Sequence, residues 1–194
     1  LVGSEMCIRD SNSYKLKNGL QTIFLPDPQI SYIGIMVKIK AGSNYEGDGQ
    51  VGISHLLEHL LINRHLEILE DCGGKSWGIT ERDEVILYVK VLNEYFENGL
   101  EYLAMVLVDN DYSIEEIEAQ KLIVESEILR SVDSPDKAVL RRSYKTLFQD
   151  TRMELLNTGE VEDVEKIELD NVLKFKKQFY NASNMVIGVT GNTD

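Results

Sequence analysis

His55, Glu58 and His59 stand in the run His-Leu-Leu-Glu-His. The two histidines are four positions apart, so on a helix they leave one face about 40° apart. Two neutral imidazoles so placed can both reach one Zn²⁺ at about 2.0–2.1 Å. Glu58 borders the same face, where it can act on a water at the metal rather than fill the ligand shell. Zinc lowers the pKa of such a water to about 7, and a neighbouring carboxylate can take its proton and later return it to a leaving amine. This chemistry needs a third protein ligand, from another element, and one open position.

Two of only three histidines in the chain fall inside this motif. Leu56, Leu57, Leu60 and Leu61 make its helix strongly apolar. Burying two imidazoles and a carboxylate is costly unless they find partners, which favours a metal over an exposed face with incidental histidines. For the third ligand, residues 120–127 offer Glu125 and Glu127. Glu118 and Glu125 share one helical stripe, as do Gln120 and Glu127. Spacing alone does not choose between them, and a lone glutamate here is ordinarily a solvated helix residue.

The elements that must position these groups follow from patterning. Tyr14 to Leu25 reads as strand, Asn18-Gly19 turn, strand, and Tyr32 to Ala41 as a half-buried strand. Ile53 to Ile62 is the motif helix, followed by a short helix from Leu66 to Cys72. Lys75 to Thr80 and Val85 to Leu92 form a strand pair, and Tyr95 to Val108 is helical. Ser113 and Glu116 make a capping box for a helix from Ile114 to about Ser131. Pro135 opens another, ending near Leu147. Met153 to Glu162 is expected as loop, Leu169 to Tyr180 as helix and Met185 to Thr190 as the last strand. Tightly connected neighbouring strands imply an α+β fold, a mixed or antiparallel sheet with helices packed on one face.

Composition bounds the rest. The chain has 194 residues, 43% of them hydrophobic, and only three prolines. That is enough apolar content for a packed core, and no linker divides it. Residues 12–194 are expected to form a single domain. Leu1 to Ser11 stand outside the pattern and read as a leader that is non-native or disordered. A net charge of −13 disfavours nucleic acid as a partner. No apolar run approaches the ~18 residues of a membrane span. Cys7 and Cys72 form no disulfide framework. They do not fix the compartment, for which the cytoplasm is the default expectation.

The chain resembles the pitrilysin/insulinase family of zinc metallopeptidases, which includes the mitochondrial processing peptidases. The resemblance runs from Tyr14 to Asp194. It is carried by Asn18-Gly19-Leu20, by Gly42-Ser43 and Glu46, and by Gly52 before His55-Leu56-Leu57-Glu58-His59. Gly73-Gly74 with Thr80 adds to it, as do Val124-Glu125-Ser126-Glu127 before Asp133-Ser134-Pro135, and Tyr180 with Asn184-Met185. It implies one zinc ion held by His55, His59 and Glu127, with Glu58 as general base. Glu127 follows from counting back from Asp133-Ser134-Pro135. The resemblance also implies that a peptide substrate adds as a strand along Gly74, Ser76, Trp77 and Gly78, and that a second homologous half, in cis or as a partner subunit, completes the enzyme.

Two positions depart from the family. Trp77 stands where an asparagine is usual on the edge strand, and Gln120 replaces a glutamate that supports the metal site. The expected function is therefore a zinc endopeptidase domain, incomplete as this chain alone. The alternative is a weakly active or non-catalytic binding subunit of the same family.

Overall fold

The computed structural model describes residues 11–192. Most of the expected leader lies outside the described residues. Six strands, β1 (Asn12–Lys15), β2 (Gln21–Pro26), β3 (Tyr32–Ile39), β4 (Lys75–Thr80), β5 (Val85–Leu92) and β6 (Met185–Gly191), form one sheet. Their order is β1-β2-β6-β3-β5-β4. Every neighbouring pair is antiparallel except β2 with β6, so the sheet is mixed, as expected.

Alternation decides which face is covered. Ile33, Ile35, Val37 and Ile39 of β3 are buried, and so are Val85, Leu87, Val89 and Val91 of β5. β-branched residues at period two suit a pleated surface with one packed side. Against that side lie α1 (Ile53–Ile62), α3 (Phe96–Val108), α4 (Ile114–Asp133) and α7 (Leu169–Phe179). Leu56, Leu57, Leu60 and Leu61 of α1 are buried with Tyr102, Val124, Ile128 and Val172 in the same core. The fold is thus α+β, with its helices on one face of the sheet.

α2 (Glu67–Glu70) is a single turn, shorter than the sequence suggests, and α5 (Pro135–Leu147) starts at Pro135 as expected. The segment expected as loop contains a helical turn at Arg152–Glu154 and runs into α6 (Val161–Glu165). Glu160 is the N-cap of α6, bonded reciprocally with Asp163. The usual cap residues are Ser, Thr, Asp and Asn, so a glutamate cap carries little signal in sequence. No helix among the described residues is long and apolar enough to cross a membrane.

The start of α1 is unusual. Its N-cap is Gly52 at φ +90°, with no side-chain cap of its own. The first turn of any helix leaves backbone N–H groups unpaired. Here the buried Glu46 carboxylate supplies the acceptors, taking Gly52 N–H at 3.1 Å and Ser54 N–H at 3.0 Å. Burial pushes the Glu46 carboxyl up to about 7, against those two bonds and the nearby Arg152 charge.

Candidate metal centre

α1 delivers His55 and His59 side by side, with ring centroids 4.6 Å apart. α4 packs across α1 through the buried Val124 and Ile128, which presents Glu127 to both rings. Glu127 Oε2 stands 3.7 Å from His55 Nε2 and 3.5 Å from His59 Nε2. His55, His59 and Glu127 each offer a ligand atom within 4.8 Å of the others. Tetrahedral bonds of about 2.0–2.1 Å would set ligand-to-ligand edges of about 3.3 Å. The measured separations are close to that.

Protonation fits as well. Burial, with His59 beside it, lowers the His55 pKa to about 4. Burial also lowers that of His59, while Glu127 pulls the other way. Both rings are therefore neutral at neutral pH, the state in which imidazole binds a metal. Two neutral imidazoles and a carboxylate suit Zn²⁺.

Glu58 lies on the strand side of the same helix. Its Oε2 accepts from Thr80 Oγ1 at 2.6 Å. Burial pushes its carboxyl up to about 7, the Glu127 charge adds to the rise, and the Thr80 bond opposes it. A carboxylate poised near neutrality can both take and return a proton. His55, Glu58, His59 and Glu127 line a cleft of about 1330 Å³ together with Leu140 and Tyr144 of α5.

The remaining sequence candidates fall in different places. Glu125 sits two positions from Glu127, about 200° round α4, and is not part of the ligand group. Gln120 Oε1 accepts from Asn63 Nδ2 at 3.1 Å, and the same Asn63 amide donates to His59 O at 2.9 Å. Gln120 thus braces the C-terminus of α1, while both ring Nδ1 atoms are buried without a hydrogen-bond partner. Gly78 faces Glu58 directly: a Cβ there would lie 2.4 Å from Glu58 Oε1. The Trp77 ring points to the other face of the sheet and stacks on Tyr88, with centroids 5.2 Å apart. Ser76 Oγ accepts from Tyr102 OH at 3.0 Å, and Gly74 packs against Leu69 and Val91. Trp77 and Gly78 border the cleft, whereas Gly74 and Ser76 are not among its lining residues.

Sequence reasoning gave no role to Thr80 or Asn157. Asn157 Nδ2 donates to Thr80 O at 3.3 Å, and its Oδ1 accepts from Ser43 Oγ at 2.8 Å. These contacts join residues far apart in the chain, and no local spacing rule could have shown them.

A domain with this sheet, and with a His-x-x-Glu-His helix facing a glutamate of a second helix, is an insulinase-type peptidase domain. The family model "Insulinase (Peptidase family M16)" matches residues 23–159, and the chain belongs to that family. It is 29% identical over 191 residues to an uncharacterized zinc protease of Rickettsia bellii, covering 94% of this chain and 46% of that protein. It is 24% identical over 174 residues to the mitochondrial-processing peptidase subunit beta of Dictyostelium discoideum, covering 84% of this chain and 36% of that one. Among solved structures, a protease from Helicobacter pylori superposes with TM-score 0.88 at 26% identity. That match covers 96% of this chain and 47% of the other. The chain spans about half the length of the curated relatives it matches, or less.

Proposed function

We propose that this chain is the metal-holding domain of a zinc-dependent endopeptidase, completed by a second homologous half. One observation carries the reading: His55 Nε2, His59 Nε2 and Glu127 Oε2 converge from two helices, with the Glu58 carboxylate in the same cleft. Zinc held by these three side chains would polarise a water and the substrate carbonyl. Glu58 takes a proton from the attacking water as the new C–O bond forms. It then gives that proton to the amide nitrogen as the C–N bond breaks, so water is added across the peptide bond.

The peptide would lie along β4, which ends the sheet formed by the described residues. Main-chain pairing to such an edge tolerates many sequences. Trp77 and Gly78 border that groove; Gly74 and Ser76 would contribute only backbone. Apolar side chains exposed on α4 and α5, among them Leu122, Leu129 and Val139, offer surface to a second half. The reading as a non-catalytic subunit finds less support, because His55, His59, Glu127 and Glu58 are all present and the Trp77 ring is turned away from Glu58.

The test is Glu58→Gln in the complete protein. Zinc content by mass spectrometry should stay at the wild-type level, because the three ligands are untouched. Peptide cleavage should fall by at least about 10²-fold. Cleavage by Glu58→Gln at the wild-type rate would sink the proposal.

A further inference from the structure

The Glu58 carboxylate is seated by β4 as well as by its own helix. Thr80 Oγ1 donates to Oε2 at 2.6 Å, the length of a strong O–H···O⁻ bond. Two residues earlier, Gly78 leaves bare backbone beside the carboxylate: a Cβ there would overlap Oε1, Cγ and Cδ of Glu58 at 2.4–2.6 Å. Thr80 is itself tied down. Its carbonyl accepts from Asn157, which is held in turn by Ser43. A β-branched residue is ordinary in a strand, and that accounts for the shape of Thr80. It does not account for the hydroxyl, since valine would serve the strand equally well.

We propose that Thr80 is a positioning residue for Glu58. Its hydroxyl holds Oε2 and leaves Oε1 as the free proton acceptor, while Gly78 provides the space for that arrangement. The inference rests on the endopeptidase reading and adds to it the group that orients the base. The Thr80 hydroxyl is bonded to Glu58 and not to an expected metal ligand. Its loss should therefore appear in the chemical step and not in binding.

The experiment compares Thr80→Val and Thr80→Ser in the complete zinc-loaded protein acting on a fluorogenic peptide. In Thr80→Val, kcat should fall at least about tenfold, the loss expected for one hydrogen bond to a charged group. KM should stay within about twofold, and zinc per chain and Tm should be unchanged. Thr80→Ser, which keeps the hydroxyl but is the poorer strand residue, should recover kcat to within about threefold of wild type. A crystal structure of Thr80→Val should show the Glu58 carboxylate moved away from Gly78.

Wild-type kcat in Thr80→Val, failure of Thr80→Ser to restore it, or an unmoved carboxylate overturns this inference alone. A wild-type protein that binds zinc but cleaves no peptide overturns the inference together with the function it rests on.

Discussion

Glu127 and Glu125 are the same residue type two positions apart on one helix, and only Glu127 stands beside the two imidazoles. Their directions from the α4 axis differ by about 200°. Glu127 lies 3.5 and 3.7 Å from the two imidazoles. Glu127→Ala should reduce bound zinc to near background, while Glu125→Ala should keep about one ion per chain. Elemental mass spectrometry on both variants checks this, and retention of zinc by Glu127→Ala would remove the third ligand from the scheme. The clustering of His55, Glu58 and His59 was legible in the sequence because helical geometry relates residues four apart without reference to the rest of the fold. Glu127 was harder, since spacing left two stripes open and only the family pattern chose between them. The Thr80–Glu58 bond was not legible, because it depends on how β4 lies against α1. The same limit applies to Gln120, whose amide reaches Asn63 rather than a ring nitrogen.

At the scale of elements, the metal helix is set by what happens just before it. Gly52 stands at φ +90°, where an added Cβ would lie 2.6 Å from Thr158 O and 3.3 Å from Val164 Cγ2. Both the left-handed backbone and the contact with a fixed carbonyl oppose any side chain there. Gly52→Ala should destabilise the domain by about 2–3 kcal/mol. In a chain of this size that corresponds to a fall in Tm of about 4–12 °C. Calorimetry of the metal-free protein measures it, and a Tm within about 1 °C of wild type would contradict the account.

Strands and long helices came through clearly in the sequence because alternation in β3 to β5 and the Ser113–Glu116 box are local signals. α6 did not, because its cap is a glutamate and the helix is a single short turn. The long-range order of the strands, with β6 inserted between β2 and β3, follows from packing and not from any one segment.

At the scale of the whole molecule, the chain covers 46% of the Rickettsia bellii relative. The proposed ligands all belong to this chain, so the isolated chain should bind zinc about as well as the complete protein does. Hydrolysis should not follow the metal. Without the proposed second half to exclude water and orient the carbonyl, the isolated chain should cleave peptide at least about 10²-fold more slowly. Assaying zinc content and cleavage side by side for the two proteins tests this. Equal rates would show that one half suffices.

The link from Asn157 to the Thr80 carbonyl has a directional consequence. Glu81 N–H bonds back to Glu84 O, so in an antiparallel hairpin the alternate residues Thr80, Gly78 and Ser76 turn their main-chain groups outward. The first of these carbonyls is already occupied. A ligand strand laid along β4, as proposed, would find the Gly78 and Ser76 carbonyls turned towards it and could pair at Thr80 only by displacing the Asn157 amide.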